Sequence, residues 1–340
     1  MITLSTPICA IVKGIVNKNK NMKKDLIEKL NKNAGDKIAI AGDESEKVEV
    51  IPTGVMPLDF ALGIGGFPKG RIIDIYGLPS VGKSTICFTL ISNAQKMGIT
   101  CAIIDAENAY TREYAEDFGI DTSKLIVVSP NCLEQGAEAI ETLSKEKVGL
   151  IVVDSMSSMV PRALAEAEHG KPPMAMQARG ISSMLLKIVP VIAKNKTCLV
   201  CINQMRVNIM ATGYMDKYTV SGGWALKFYS SIRIEMKRKQ AINVKDEQVG
   251  YMVGFKIIKN KLARPHIECD VPYVYGKGFD PSGDFVQMAI DKGIFEQKGA
   301  WIFHGETKYQ GKANAESAIQ ADPALRSELM LLLFPTPQQN

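Results

Sequence analysis

The sequence predicts an α/β fold in which a mainly parallel sheet is covered by helices on both faces. Apolar runs of strand length alternate with helical patterns through the middle of the chain, which is typical of strands buried on both sides. Of the 340 residues, 46 % are hydrophobic and 23 % charged, an ordinary globular balance. No apolar run is long enough for a membrane-spanning helix, so we expect no membrane partner.

The N-terminal residues 1–46 are expected to form an extension with an oligomerisation arm. Met1–Lys37 holds eight lysines and three acidic residues, so the net charge of this segment alone, +5, equals the formal net charge of the whole chain. Such a basic arm suits nucleic acid, an acidic partner surface or a solvated helix face. Helical spacing over Met22–Leu30 and alternation over Lys37–Ala41 predict a helix and a strand. A polar stretch near residue 46 then marks the start of a core at 47–279, followed by a C-terminal domain at 280–340.

A glycine-rich loop follows the first apolar β-branched run of the core and precedes a helix predicted over Ser84–Met97. Its spacing is G-x-x-x-x-G-K-[ST], the pattern of a phosphate-binding loop, whose backbone N–H groups and helix N-terminus hold phosphate oxygens. We expect Lys83 to reach the β- and γ-phosphates and the Ser84 hydroxyl to ligate Mg²⁺. The nucleotide-binding residues predicted in this segment are Gly77, Leu78, Pro79, Ser80, Val81, Gly82, Lys83, Ser84 and Thr85.

Carboxylates follow two further predicted strands, Cys101–Asp105 and Leu150–Asp154. The carboxyl ends of parallel strands meet at one edge of a sheet, so both groups should face the phosphate loop. Asp154 is expected to hold Mg²⁺ or its water. Glu107 is the candidate for orienting the attacking water, with Asp105 as the alternative and a solvated surface acid as the plain interpretation.

Another predicted strand, Cys198–Asn203, ends at Gln204, whose amide is suited to sensing the γ-phosphate. Two long irregular stretches, Pro161–Pro173 and Met205–Ser221, leave the same edge of the sheet, and such loops are usually functional or disordered. Their basic and aromatic residues suit single-stranded nucleic acid, although an ordinary surface loop is the competing interpretation. These residues are Arg162, His169, Lys171, Arg206, Tyr214, Lys217 and Tyr218.

The remaining patterns complete the core and the C-terminal domain. Inside the core, they predict a strand at Leu125–Val128 and helices at Arg112–Phe118, Glu134–Ser144 and Arg179–Ala193. Three later runs should extend the sheet with antiparallel strands, namely Ser231–Arg238, Met252–Lys259 and Val271–Tyr275. Beyond Asp280 we expect two helices around a short β segment, at Phe285–Asp291, Ala324–Leu333 and Trp301–Phe303.

Seven cysteines are present, and most lie inside apolar runs. The C-x-x-C pair Cys198 and Cys201 would point to opposite faces of a strand, and no second pair has metal-ligand spacing. We therefore expect buried thiols in a cytoplasmic protein rather than a metal or redox site.

Together these residues resemble the bacterial RecA recombinase family over Met22–Leu333. The resemblance extends well beyond the phosphate loop and its two acidic strand ends. It includes the segments Asp105–Glu107, Ile202–Arg206, Gly222–Tyr229, Lys259–Lys261 and Gly299–Trp301. It implies a RecA-type ATPase core whose subunits form helical filaments on single-stranded DNA, with ATP bound between subunits, and exchange strands with a homologous duplex.

The resemblance also implies roles for individual residues. Glu107 would be the catalytic base, and Gln204 the switch between the γ-phosphate and the second DNA loop. Lys259 and Lys261 would reach ATP on the neighbouring subunit, while the N-terminal helix and strand would dock on that subunit. Residues implied to lie near adenine are Tyr114 and Tyr275. Residues implied to contact or space DNA are Met174, Arg179, Ser182, Arg206, Ile209, Gly222 and Gly223, with Lys298 and Lys312 for duplex DNA.

We therefore expect a DNA-dependent ATPase and homologous recombinase that uses ATP and Mg²⁺. The alternatives are a ring-forming helicase of the same ATPase class and a single-strand-coating protein that binds ATP without turnover. Departures from the family pattern include Thr111 at a usually acidic position and a second loop that is one residue longer. Such divergence would suit a phage or mobile-element version, and it leaves open whether the chain promotes repressor self-cleavage.

Overall fold

The structure, a computed structural model, describes residues 23–35, 48–165, 174–207, 218–220, 225–244, 246–280 and 292–322, with positions 286, 289–290, 324–325, 328–329 and 332. The chain divides into two units, 1–48 and 49–340. In the first unit, residues 23–34 form helix α1, on which Leu26 is 58 % and Leu30 43 % exposed. The strand predicted at 37–41 lies outside the described residues.

One large sheet organises the second unit. The elements up to the centre of the chain are β1 (Val50–Ile51), α2 (Met56–Leu62), β2 (Phe67–Pro68), β3 (Ile72–Gly77), α3 (Lys83–Lys96), β4 (Cys101–Asp105), α4 (Arg112–Asp117), β5 (Leu125–Val128), α5 (Leu133–Lys145) and β6 (Leu150–Asp154). They are followed by α6 (Arg162–Ala165), α7 (Met174–Asn195), β7 (Cys198–Val207), β8 (Tyr218–Val220), α8 (Ala225–Tyr229), β9 (Ile232–Val244), β10 (Glu247–Asn260), β11 (Glu268–Val274) and β12 (Gly278–Phe279).

The described strands of this sheet are ordered β12-β11-β10-β9-β3-β7-β6-β4-β5, and β8 pairs with β7. The run from β9 to β5 is parallel, whereas β10, β11 and β12 are added antiparallel to their neighbours. The prediction of a mainly parallel sheet is therefore confirmed. The prediction that all three late strands are antiparallel is wrong for β9, because the α8 connection returns the chain to the amino-terminal edge before β9 begins.

Helices cover both faces of the sheet, as predicted. Helix α3 packs on one face with Ile86 and Leu90, and α5 and α7 pack on the other with Ile140 and Leu185. The residues of β7 alternate between the two cores, so Cys198 and Cys201 are both buried but lie on opposite faces. No helix among the described residues is both long enough and apolar enough to span a membrane.

A buried polar cluster ties together the three central strands β3, β7 and β9. Asp74 is 1 % exposed, and its carboxylate accepts hydrogen bonds from Nε of Arg233 at 2.7 Å and from Nδ2 of Asn203 at 2.8 Å. Burial raises the pKa of Asp74, and the Arg233 guanidinium opposes that shift. A carboxylate this deep is tolerated because both of its oxygens are paired. The cluster holds Asn203, the residue before Gln204, to the strand that leads into the phosphate loop.

Several element boundaries differ from the predicted ones. Helix α7 begins at Met174, earlier than expected, and continues through Pro190. The prediction that Met205–Ser221 is irregular is wrong at both ends, because β7 extends to Val207 and pairs with β8 in antiparallel register. This pairing joins segments that are separated by ten residues in the sequence, and local periodicity does not reveal it.

The described C-terminal residues form a small α/β arrangement, but with more β structure than predicted. The strands β13 (Glu296–Lys298), β14 (Trp301–His304) and β15 (Thr307–Gln310) make an antiparallel sheet. A helix at Lys312–Ala321, absent from the prediction, packs Ala315 and Ile319 into the local core. Its weak apolar stripe and the lack of a side-chain cap at Gly311 explain why periodicity did not identify it.

Candidate active site at the carboxyl edge of the sheet

The phosphate loop joins β3 to α3, and its two motif glycines are both required by close packing. A Cβ on Gly77 would lie 2.5 Å from the carbonyl oxygen of Met236 on β9. Gly82 is the N-cap of α3 with a φ of 94°, and a Cβ there would lie 2.9 Å from the Phe279 ring. A side chain at either position would therefore collide with its neighbours, and Gly82 also adopts a positive φ that glycine reaches without strain.

Lys83, the first residue of α3, is 8 % exposed. Its Nζ donates to the carbonyl oxygens of Gly77 at 3.2 Å and Leu78 at 2.8 Å. Burial lowers the pKa of Lys83, while the nearby Asp154 and Glu107 carboxylates oppose that shift. The ammonium group is thus held over the loop by carbonyl groups, at the place where the motif requires a cation for phosphate.

Ser84 and Asp154 meet directly, although 70 positions separate them in the chain. The Ser84 Oγ donates to Oδ2 of Asp154 at 2.6 Å. Burial raises the pKa of Asp154 to about 6, and the charges of Glu107 and Asp105 add to that shift. A hydroxyl and a carboxylate side by side are oxygen donors that Mg²⁺ accepts, and the ion then uses phosphate oxygens and water for its other positions. The two residues therefore fit the predicted ion.

Glu107 lines the same cavity as the loop and accepts hydrogen bonds from three side chains. To its Oε1, Ser155 Oγ donates at 2.5 Å, Gln204 Nε2 at 2.6 Å and Ser158 Oγ at 3.2 Å. Neither serine was selected from the sequence, although both follow the Asp154 strand end closely. Their hydroxyl groups orient the carboxylate, as a positioned base requires.

Asp105, the alternative base, is placed differently. Its two carboxylate oxygens accept the backbone N–H groups of Ala109 and Tyr110 at 3.1 and 3.0 Å, and it is 5 % exposed. Because these amides occupy both oxygens, Asp105 serves to shape the turn before α4. The geometry favours Glu107 over Asp105 for contact with a water molecule.

The loop, the acids and a group of aromatic residues enclose one cavity of about 590 Å³. Tyr114 and Tyr275, the two residues predicted near adenine, both line it. Tyr251, Tyr273 and Arg238 also line it, and the sequence reasoning missed all three. The two additional tyrosine rings stack at a centroid distance of 4.9 Å and an interplanar angle of 26°. The only available signal was the spacing of aromatic residues along β10 and β11, which does not give their position relative to the loop.

Lys259 and Lys261 do not line this cavity. Lys259 Nζ donates to the carbonyl oxygens of Lys227 and Phe228 at 2.7 and 3.0 Å, and Lys261 Nζ lies 3.4 Å from the Phe228 oxygen. Lys259 also pairs in register with Arg233, near the start of β9. This is the amino-terminal edge of the parallel strands, opposite the phosphate loop. The two lysines therefore cannot serve the nucleotide site of their own subunit.

The residues predicted to contact DNA are only partly described. Arg179 is exposed on α7, and the Ser182 hydroxyl on the same helix donates to the Ala178 carbonyl at 2.8 Å. Met174 begins α7 and Arg206 lies on β7, but their side chains are outside the described part, as are Ile209, Gly222 and Gly223 entirely.

Of the residues predicted to bind duplex DNA, Lys298 is exposed on β13. Its Nζ lies 3.1 Å from Oε1 of Glu296 and 5.6 Å from the centre of the Phe303 ring. Lys312 is the first residue of the C-terminal helix and is partly exposed. Both lie on the small C-terminal arrangement, remote in sequence from the cavity.

Comparison with known proteins identifies the family. The family model described as "RecA N-terminal domain" matches residues 20–280. Protein RecA of Thermus thermophilus is 42 % identical over 287 residues, which covers 84 % of both chains. Protein RecA of Campylobacter lari is 38 % identical over 297 residues, covering 87 % of this chain and 86 % of the relative. The chain belongs to the RecA family.

Family membership confirms the fold and the general activity expected from the resemblance. RecA-family proteins are DNA-dependent ATPases and recombinases, and this chain is one of them. It is accordingly a nucleotide-binding protein. The roles of individual side chains in the cavity and on the DNA loops stay predictions.

Proposed function

We propose that this RecA-family chain assembles as a helical filament on single-stranded DNA with ATP and Mg²⁺, and pairs that strand with homologous duplex DNA. The observation that carries the proposal is the hydrogen bond between Gln204 and Glu107. Gln204 lies on β7, the strand that leads into the longer of the two predicted DNA loops. A contact between that strand and the candidate base supports a reciprocal influence of DNA and ATP on each other's binding.

In the proposed reaction, Lys83 and the amides of the phosphate loop bind the phosphate groups. Ser84 and Asp154 would hold Mg²⁺, which neutralises charge on the β- and γ-phosphate oxygens when bound. Glu107 accepts a proton from the attacking water, and the hydroxyl groups of Ser155 and Ser158 keep its carboxylate oriented. Tyr114 and Tyr275 would contact the adenine.

The position of Lys259 and Lys261 supports a site completed by a second subunit. Their ammonium groups face carbonyl oxygens at the end of α8, away from the cavity of their own chain. In a head-to-tail filament, that edge of one subunit can meet the phosphate loop of the next. We propose that the lysines contact the γ-phosphate held by the neighbouring subunit.

We further propose a division of labour among three segments. Residues 1–46 would dock on a neighbouring subunit, 47–279 would bind ATP and single-stranded DNA, and 280–340 would bind duplex DNA. Within the core, Arg179, Ser182 and Arg206 would contact the single strand. Lys298 and Lys312 would contact the duplex phosphates.

Electron microscopy with single-stranded DNA and a slowly hydrolysed ATP analogue, beside a phosphate-release assay with ATP, tests the proposal. We expect helical filaments and DNA-stimulated phosphate release. Lys83→Ala should lose both, whereas Lys96→Ala, which removes an exposed lysine at the end of α3, should retain both. Closed rings would favour a helicase, and filaments without phosphate release would favour a coating protein.

A further inference from the structure

Arg238 brings a positive charge into the nucleotide cavity that neither the motif nor the predicted roles include. It lies on β9 and lines the cavity with Pro79, Ser80 and Gly82 of the phosphate loop. Among the residues that the structure describes, its contacts are a tyrosine ring and a tyrosine hydroxyl, and no carboxylate forms an ion pair with it.

Aromatic side chains fix the position of this guanidinium group. Its Cζ lies 4.3 Å from the centre of the Tyr251 ring, and Nη2 lies 3.4 Å from the Tyr275 hydroxyl oxygen. Tyr251 is only 3 % exposed, and its hydroxyl donates to the Ser80 carbonyl at 3.0 Å. The chain of contacts from Arg238 through Tyr251 to Ser80 attaches the cation to the phosphate loop itself.

The charges around the cavity make a further cation useful there. Three carboxylates line it, from Asp105, Glu107 and Asp154, whereas Lys83 is the lysine of the motif. A nucleotide adds several negative charges on its phosphates. An arginine fork can donate two parallel hydrogen bonds to phosphate oxygens, and a guanidinium placed over an aromatic ring still directs N–H donors outward in its own plane.

We propose that Arg238 binds the phosphate groups that ATP and ADP share, within its own subunit, and that Tyr251 is the residue that positions it. The proposal rests on the proposed function, since it assumes that the cavity binds a nucleotide. It differs from the role given to Lys259 and Lys261, which would act on a neighbouring site. We favour a phosphate ligand over the adenine because Tyr251, which contacts Arg238, is hydrogen-bonded to Ser80 of the phosphate loop.

The test compares Arg238→Gln with Lys237→Gln, in the full chain and without DNA. Lys237 is the preceding residue of β9, is also exposed, and pairs with Glu235 at 3.0 Å. Successive strand residues point to opposite faces, so the control removes the same charge outside the cavity. Calorimetric titration with ATP, ADP and adenosine then separates phosphate contacts from contacts to the base and ribose.

Arg238→Gln should weaken ATP and ADP binding by about three- to tenfold, less than is usual for a charge-assisted hydrogen bond, because the side chain is exposed and solvent screens its charge. Adenosine binding should not change, and Lys237→Gln should resemble the wild type. Arg238→Met, which keeps an apolar stem over the Tyr251 ring, should reproduce the loss. Tyr251→Phe should show a smaller loss of the same kind.

Unchanged ATP and ADP affinity in Arg238→Gln would overturn the inference, as would an equal loss in Lys237→Gln or an equal loss for adenosine. These outcomes leave the proposed function intact if the wild type binds ATP and Lys83→Ala does not. If the wild type binds no ATP, the proposed function fails together with the inference.

Discussion

Gln204 donates its side-chain amide to the carboxylate of Glu107 at 2.6 Å, so the proposed switch and the proposed catalytic base are in direct contact. This contact directs an N–H donor of the Gln204 amide at the carboxylate. Under the proposed function, the γ-phosphate of bound ATP would compete with Glu107 for this amide. The predicted DNA loop after β7 would then depend on which of the two partners Gln204 contacts.

Glu107→Gln should preserve nucleotide binding and slow ATP hydrolysis by about 10²–10⁴-fold, the usual contribution of a general base. The amide keeps the shape of the side chain but cannot accept the proton from water. Steady-state phosphate release measures the effect, and Glu113→Gln, which changes an exposed acid on α4, serves as the control. Near-normal turnover in Glu107→Gln would remove this residue from the role.

Gln204→Ala should lower the coupling between ATP and DNA and leave basal nucleotide binding largely intact. Typical coupling energies of about 1–3 kcal/mol correspond to roughly 5–150-fold between the ATP-bound and ADP-bound affinities for single strands. The measurement is that affinity ratio in the wild type and in the variant, with the exposed Gln240→Ala on β9 as a matched control. An unchanged ratio in Gln204→Ala would show that the switch lies elsewhere.

Lys83→Ala and Lys259→Ala should each abolish turnover alone and restore part of it when the two variants are mixed. In a mixed assembly, the intact phosphate loop of a Lys259→Ala subunit can meet the intact lysines of a Lys83→Ala subunit. DNA-stimulated phosphate release over a range of mixing ratios measures the recovery. No recovery at any ratio, with mixed filaments present, would contradict a site shared between subunits.

Arg206→Ala should weaken single-strand binding and reduce its dependence on salt. Each neutralised phosphate contributes a slope of roughly −0.7 on a log–log plot of affinity against salt concentration. Fluorescence anisotropy of labelled single strands gives this slope, and Arg112→Ala, which removes an exposed arginine paired with Glu116, is the control. The same slope and affinity in wild type and Arg206→Ala would place the binding surface outside the second loop.

Asp59→Asn should flatten the dependence of stability on pH. Burial raises the pKa of Asp59 from 3.8 to about 7, so the folded chain holds this proton where the unfolded chain has lost it. The stabilising contribution is complete below pH 3.8 and declines as the pH rises to about 7, by at most about 1.4 kcal/mol per pH unit. Asparagine keeps an oxygen to accept the Thr53 N–H, which Asp59 now accepts at 2.8 Å.

Denaturant unfolding across this pH range measures that slope, with the exposed Asp117→Asn on α4 as the reference variant. The stability of Asp59→Asn relative to the wild type should increase with pH. A difference that stays constant with pH would mean that Asp59 is ionised in the folded chain.

The order and type of the central elements were predictable because β4, β6 and the first part of β7 are each a short apolar run that leads to a polar residue. The same rule brought Asp154 and Asp105 to one edge, where they pair in register. Arg238 and Tyr251 could not be placed in this way. They lie on β9 and β10, whose pairing shifts register between Gln248 and Gly250, again between Tyr251 and Val253, and between Ile257 and Lys259. An irregularity of this kind changes which side chains share a face of the sheet, and alternation in the sequence does not reveal it.

The location of Lys259 and Lys261, at the edge of the sheet opposite the phosphate loop, gives an assembly two unequal ends. If these lysines act between subunits, the last subunit at one end would offer them to no neighbour, and the last phosphate loop at the other end would receive none. Under the proposed function, an open chain of subunits has one fewer complete site than it has members. Turnover per subunit should then rise with filament length, and loss of subunits should depend on which end they leave.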